Sequence, residues 1–275
     1  MSTATIGFIG GGNMAASIIG GLLTSGVDAR QLRAGDPSQE SLDRLASLGP
    51  ITTSQDNLNI IPGCDVLVMA VKPQLMKVVC AGIADTVQAN KPLIISIAAG
   101  VTSDSLNQWL GGNLDIVRCM PNTPALLRCG ATGLFANTAV SEIQRQQAQQ
   151  ILDAVGLALW VEQESELDAV TAVSGSGPAY FFLMMEAMQA SGEALGLNPD
   201  VAKQLSQQTA LGAARMALES DVDVAELRRR VTSPKGTTER AITIFEEGGF
   251  RALVQQALQG AADRADELGR ELEGE

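Results

Sequence analysis

The sequence predicts an α/β protein in which an N-terminal domain on a mainly parallel sheet is followed by an all-α domain. Three observations predict it. A short apolar run ends in three glycines and gives way at once to a helix-periodic stretch. Apolar, β-branched runs then alternate with helical segments as far as Glu162, and beyond Glu162 strand signals stop and long helical stretches take over. With 275 residues, 45% of them hydrophobic, the chain has room for two domains and material for a real core.

Residues 5–9, "TIGFI", read as a buried parallel strand that stops at Gly10, Gly11 and Gly12. Met14, Ala15, Ile18, Ile19, Leu22 and Leu23 recur at helical spacing, so a helix begins at Asn13. Strand, glycine turn and helix is the order a dinucleotide site needs: a tight turn, a bare backbone, and free helix N–H groups aimed at a pyrophosphate. Gly10-x-Gly12-x-x-Ala15 fits that fingerprint, with alanine in the third place, where helix packing accepts it. The plainer alternative is a flexible bend. On this reading the first domain is Rossmann-like.

Residues 31–36 read as a second strand ending in Asp36, about twenty positions past the turn, where a ribose-binding carboxylate belongs. Gly-Asp-Pro is also turn chemistry in its own right, and both roles stand. Residues 65–73, 91–100 and 114–124 are further strands, each stopped by Pro, Gly or Asn, with a helix over 103–110. Ala70-Val71-Lys72-Pro73, Ala98-Ala99-Gly100 and Met120-Pro121-Asn122-Thr123 fall at strand C-termini, where parallel sheets collect ligands. Strands at 131–136 and 158–162, around a helix over 141–155, complete a domain spanning 1–162. Residues 163–275 form the second domain, with helices over 177–195, 199–219, 225–231, 237–247 and 250–272. "AYFFLMMEAM" is apolar almost all round, which predicts a helix buried on every side by a second subunit, in a dimerisation module.

Composition narrows the chemistry. A net charge of −12 leaves no broad basic surface for nucleic acid, and Arg228-Arg229-Arg230 reads as a solvated helix face. Four scattered cysteines without a C-x-x-C pair, and opening residues without the pattern of a secretory leader, make a reducing cytoplasm the expected home. No apolar run approaches the length of a membrane span, so no membrane is crossed. The chain has no histidine, which removes His-ligated metal sites, Ser-His-Asp and Cys-His triads, and a histidine acid; no metal is expected. Its single tyrosine, Tyr180, is followed four places later by Met184, so a Tyr-x-x-x-Lys proton donor is absent too. Lys72 remains as an acid, although its place beside the nucleotide suits a cofactor contact equally well.

Hydride transfer to an imine fits the missing acid, because a protonated C=N already carries the charge that hydride attack needs. "VTSPKGTTERA", residues 231–241, supplies a partner for such a substrate: a hydroxyl-rich turn entering a helix N-terminus, where free N–H groups and the helix dipole favour a carboxylate. A plain helix cap is the alternative.

The motifs "IGFIGGGNMA", "AVKPQ", "SIAAGV", "RCMPNTPA", "DAVTAVSGSGPAYFF" and "VTSPKGTTERAI" occur in this order over nearly the whole chain. In this the sequence resembles the pyrroline-5-carboxylate reductases of proline biosynthesis, and the last two motifs are the specific ones. The resemblance implies reduction of 1-pyrroline-5-carboxylate to L-proline with NADPH or NADH. It implies that Gly10, Gly11, Gly12, Asn13 and Met14 cradle the pyrophosphate. Asn57, Ala70, Val71, Lys72 and Pro73 would border the nucleotide, and Met120 to Thr123, including Asn122, line the nicotinamide end. Ser233, Gly236, Thr237 and Thr238 would bind the substrate carboxylate and ring nitrogen, with Thr238 as the proton relay. Ser176 faces the same pocket or caps a helix. Lys235 departs from the family's usual small residue. The family builds its pocket between the nucleotide domain of one subunit and the helical domain of another, which implies a homodimer with a swapped active site and leaves a decamer open. On cofactor, Asp36 argues for NADH and the resemblance favours NADPH.

Two other classes stay open. A β-hydroxyacid dehydrogenase would need a catalytic lysine in the helical domain, where only Lys203 and Lys235 are available. A nucleotide-sensing dimer would bind NAD(P) without turnover and would have no use for the hydroxyl-rich loop.

Overall fold

A computed structural model describes residues 4–274, with side chains through residue 272. The first half of the chain builds β1 (Ile6–Ile9), α1 (Asn13–Thr24), β2 (Leu32–Gly35), α2 (Gln39–Ala46), β3 (Thr52–Ser54), β4 (Val66–Met69), α3 (Pro73–Asn90) and β5 (Leu93–Ser96). It continues through α4 (Ser103–Trp109), β6 (Ile116–Met120), β7 (Gly130–Ala136), α5 (Glu142–Asp153) and β8 (Gly156–Trp160). The strands form one sheet in the order β3-β2-β1-β4-β5-β6-β7-β8. All neighbours pair in parallel except β6 and β7, whose antiparallel register sets Met120 opposite Gly133.

Strand alternation explains the layers. Phe8, Ala34, Val68, Ile95 and Val117 face one side and pack with Ile18 and Ile19 of α1 and Ile151 and Leu152 of α5. Ile9, Leu67, Met69, Ile94 and Ile116 face the other and pack with Met76, Cys80 and Ile83 of α3 and Leu106 of α4. Sheet order reverses at β1, from which successive strands spread to both sides, so the crevice above its C-terminal end is the switch point where such sheets bind ligands.

Several boundaries differ from the sequence expectation for identifiable reasons. Residues 29–31 are a 3-10 turn whose cap, Asp28, accepts a hydrogen bond from the Arg30 N–H, so β2 starts at Leu32. The expected strand over 65–73 ends at Met69 because Pro73 takes the first helical position of α3, where its missing N–H costs nothing. The run over 114–124 likewise leaves the sheet after Met120 and becomes a 3-10 turn over Thr123–Leu127. β3, which the sequence did not announce, is three polar residues on the sheet edge.

Past β8 come α6 (Glu166–Val170), a π-helical turn (Thr171–Gly175), α7 (Gly177–Ala194), α8 (Pro199–Glu219), α9 (Val224–Arg230), α10 (Thr237–Glu247) and α11 (Phe250–Gly274). The chain divides into two compact units, one running up to Ser176 and including the segment from Gly260 onward, the other Gly177–Gln259. The unit bearing the sheet therefore extends past the expected boundary at 162 and takes back the end of the last helix.

Two contacts explain this. Glu164 accepts hydrogen bonds from the Ser103 N–H and Oγ, both at 2.6 Å, and from Arg118 Nη1 at 2.7 Å, tying the post-sheet segment to α4 and β6. Leu272 packs on the second core, and a Cβ placed on Gly100 would lie 3.3 Å from the Gly269 nitrogen. In the other unit, α7 was expected to be buried all round, yet within this chain Gly177 is its one buried residue, and Phe181, Phe182 and Leu183 are each more than 60% exposed.

Candidate active site

The glycine turn leaves β1 at the switch point. Gly10 has φ 101°, and a Cβ on it would lie 2.5 Å from the Ala70 carbonyl oxygen, so the β1 and β4 ends can approach this closely only with glycine there. Its N–H donates to the Gly35 carbonyl at 2.7 Å. Gly12 is the N-cap of α1, no side chain caps the helix, and nothing lies within 4 Å of where its Cβ would be. The first-turn N–H groups of Asn13, Met14 and Ala15 therefore open onto free space with the positive end of the helix behind them.

Asp36 follows β2. One carboxylate oxygen accepts the Gly11 N–H at 2.7 Å and the other the Ser38 N–H at 2.8 Å. The turn role weighed for it in the sequence is thus visible, since it shapes the entry into α2, and the same placement sets it beside the glycine turn. Asn57 opens a short 3-10 turn, and its Oδ1 is buried against Gly35 with no hydrogen-bond partner. On the far side of β1, Ala70, Val71 and Lys72 lead into α3, whose N-cap Lys72 likewise provides no side-chain cap. A bare helix N-terminus, a turn with no side chain in the way, a carboxylate beside it and an unsatisfied amide oxygen are features that fit a dinucleotide.

Further along the sheet, Asn122 is buried, and its amide is used inside the protein. Nδ2 donates to the Ser174 carbonyl at 2.9 Å and Oδ1 accepts the Ala131 N–H at 2.9 Å. It holds the end of β6 against the π-helical turn and the start of β7, so its side chain sets the shape of the wall. Met120 packs on the same turn, where a Cβ on Gly175 would lie 2.6 Å from its Cε. The Ser176 N–H closes that turn on the Thr171 carbonyl at 2.8 Å.

The hydroxyl-rich loop lies in the other unit. Lys235 has φ 61°, a left-handed conformation that favours glycine, and its N–H donates to Glu239 Oε2 at 2.7 Å. The loop's Gly236 N–H donates to the Ser233 carbonyl at 3.0 Å. Gly236 is the N-cap of α10 and caps nothing with a side chain, so the serine or threonine cap considered from the sequence is not formed. Ser233, Thr237 and Thr238 are exposed around this N-terminus. The arrangement can hold a small carboxylate by backbone N–H groups and place hydroxyls beside it.

The basic run is engaged within its own unit: Arg229 and Arg230 share Glu226, whose carboxyl their hydrogen bonds hold down at about 2, and Arg228 pairs with Glu246, which Arg251 also holds. Among the described residues, no group of three or more His, Cys, Asp or Glu is placed to hold a metal ion, and no helix is long and apolar enough to cross a membrane.

One charged residue at the glycine turn was not foreseen. Arg44, from the last turn of α2, donates from Nη2 to the Gly11 carbonyl at 2.6 Å and from Nη1 to Asn13 Oδ1 at 3.2 Å. Its only sequence signal is the helical register of Leu42 and Leu45, which are buried and so turn Arg44 out of the core.

Comparison with known proteins agrees with this geometry. Residues 5–100 match a family model described as NADP oxidoreductase, coenzyme F420-dependent, and residues 164–268 match one described as pyrroline-5-carboxylate reductase dimerisation. A pyrroline-5-carboxylate reductase of Pseudomonas aeruginosa is 56% identical over 99% of both chains. The solved structure of a pyrroline-5-carboxylate reductase from Coxiella burnetii superposes with a TM-score of 0.94 at 48% identity, covering 97% of this chain and 99% of that one. That of a Plasmodium falciparum pyrroline carboxylate reductase with NADP bound gives 0.85 at 28% identity, covering 98% and 99%.

Proposed function

The chain belongs to the pyrroline-5-carboxylate reductase family, and from that premise we propose how its two half-sites reduce 1-pyrroline-5-carboxylate to L-proline. The bound nicotinamide supplies the hydride that adds to the imine carbon, while the C=N electron pair moves to nitrogen and is fixed there by a proton. Gly10 to Met14 receive the pyrophosphate on the uncapped N-terminus of α1, and Asp36, Asn57 and Ala70 to Pro73 flank the nucleotide. Met120 and the wall that Asn122 holds in place border the nicotinamide end, and Ser176 lies on the turn that closes it.

Ser233, Gly236 and Thr237 hold the substrate carboxylate at the start of α10, and the Thr238 hydroxyl passes the proton to the ring nitrogen. The observation that carries this reading is the α10 N-terminus, left uncapped behind a strained Lys235 and ringed with hydroxyls. Glycine is an ordinary N-cap, and what sets this helix end apart is the group of exposed hydroxyls, Ser233, Thr237 and Thr238, around it. Positioning does most of the work, because an iminium needs no strong acid or oxyanion hole.

The finer assignments are part of the same proposal. NADPH is the preferred cofactor, since both Asp36 oxygens are already occupied by backbone N–H groups and less of its charge meets a 2′-phosphate. A homodimer completes each site with the helical unit of the second copy, a reading supported by the bare apolar face of α7 and the match to a dimerisation family. Rings of such dimers and a cytoplasmic home are consistent with it.

The test is oxidation of NADPH and NADH in parallel with pyrroline-5-carboxylate. Rapid loss of reduced-nicotinamide absorbance, faster with NADPH, is the expected result. Nucleotide binding without oxidation by any cyclic imine would return the chain to a sensor.

A further inference from the structure

The cofactor end carries two charges legible in the sequence, Asp36 and Lys72, and a third, Arg44, that only the folded chain brings to the glycine turn. Ser38 caps α2 by accepting from the Ser41 N–H, Leu42 and Leu45 anchor the helix in the core, and Arg44 then reaches back over the glycine turn. The result is a clamp on one residue. The Gly11 N–H is held by Asp36 at 2.7 Å and its carbonyl by Arg44 at 2.6 Å, while the other arm of the guanidinium holds Asn13 at 3.2 Å. The clamp is close-fitting, for a Cβ on Gly11 would lie 3.2 Å from that of Ser41 and 3.3 Å from that of Asp36.

Two physical consequences follow. Three consecutive glycines are conformationally loose, and ordering them on binding would cost affinity. Charge-assisted hydrogen bonds on both polar groups of the middle glycine fix the turn before any ligand arrives. The clamp also sets opposite charges on the two polar groups of one glycine without a direct ion pair between them: a carboxylate alone at this place repels an added phosphate, and a guanidinium near it offsets that repulsion.

We propose that Arg44 is a cofactor-positioning residue which pre-orders the glycine turn and, by balancing Asp36, lets the site take the 2′-phosphorylated cofactor. This rests on the nicotinamide reading given above and names the residue that tunes its specificity.

The experiment measures steady-state kinetics with both cofactors, equilibrium NADPH binding by nicotinamide fluorescence, and thermal melting, on the wild type, Arg44→Met and Arg44→Lys. In Arg44→Met, the KM and Kd for NADPH should rise about tenfold and the KM for NADH about threefold, the scale of losing charged hydrogen bonds. Turnover at saturating cofactor and the KM for the imine should stay close to wild type, while the melting temperature should fall by only a few degrees as the bonds that pre-order the turn are lost. Lysine restores the charge without the forked donor geometry, so Arg44→Lys should recover the NADPH-to-NADH preference but only part of the affinity. An unchanged KM for NADPH in Arg44→Met overturns the proposal. So does a joint loss of turnover, of affinity for both cofactors and of melting temperature, which would make Arg44 merely structural. Because the fluorescence titration needs no turnover, a wild type that binds NADPH without reducing the imine would count against the reaction and leave the role of Arg44 still measured.

Discussion

Thr238 and Lys235 sit three residues apart and make opposite demands on the same loop. Thr238 stands exposed at the uncapped start of α10, where its hydroxyl can serve a ligand. Replacing it with alanine is expected to lower turnover roughly 100-fold, at the low end of the range for a positioned proton donor, with NADPH affinity unchanged in a binding titration. Lys235 holds a left-handed backbone conformation at φ 61°. Lys235→Gly should therefore stabilise the protein by about 1 kcal/mol in urea denaturation, the order of the strain relieved less the entropy that glycine adds. At this scale the glycine turn and Asp36 stand out by residue type and spacing, whereas the hydroxyl-rich loop reads by spacing as a plain helix cap as well and takes its site role from the resemblance. Arg44 does not stand out, because an arginine on a helix face looks the same in sequence whether it meets water or a carbonyl from residue 11. Asn122 was legible as a site residue but not as one whose amide is spent on Ser174 and Ala131, since both partners come from later parts of the chain.

At the scale of elements, the parallel core was the easiest part to read, because strands buried on both faces are continuous apolar runs. β3 was missed for the converse reason, as Thr52–Ser54 is a polar edge strand held only by pairing with β2. The π-helical turn was missed because its small residues carry no periodic signal; its shape is imposed by Met120 and Asn122. The link between α4, β6 and the post-sheet segment centres on Glu164, which accepts from Ser103 and pairs with Arg118, the Arg118 side chain being 9% exposed and that of Glu164 24%. Glu164→Gln takes the paired carboxylate from a nearly buried guanidinium, leaving Asp168 nearby, and should cost up to about 3 kcal/mol, read as a lowered denaturation midpoint with an unchanged slope. A loss within a few tenths of a kcal/mol would mean that water reaches Arg118.

For the whole molecule, the predicted cofactor residues lie in one compact unit, together with Met120, Asn122 and Ser176, and the hydroxyl loop lies in the other. If each site is completed by a second copy, two different inactive variants can repair each other. Gly12→Asp places a negative charge where the pyrophosphate belongs, in space that is empty, so it should fold and fail to bind cofactor. Refolded together with Thr238→Ala, it should give activity in about a quarter of all sites, because half the dimers are hybrids and each hybrid has one intact site. Activity that stays at the level of the separate variants would place both halves of a site in one copy. The exposure of α7 belongs to this scale too: its composition reads as a helix buried on every side, whereas within the single chain Phe181, Phe182 and Leu183 stand exposed.

The return of the segment from Gly260 onward to the sheet unit bears on how the protein is made. During synthesis the sheet leaves the ribosome before the other unit does. Yet Gly269 and Leu272, which close over Gly100 and the second core, follow the whole of that other unit in the chain. The nascent sheet must wait, with one flank open, through the making of Gly177–Gln259, and a chain cut after Gln259 would be left with its older part unfinished.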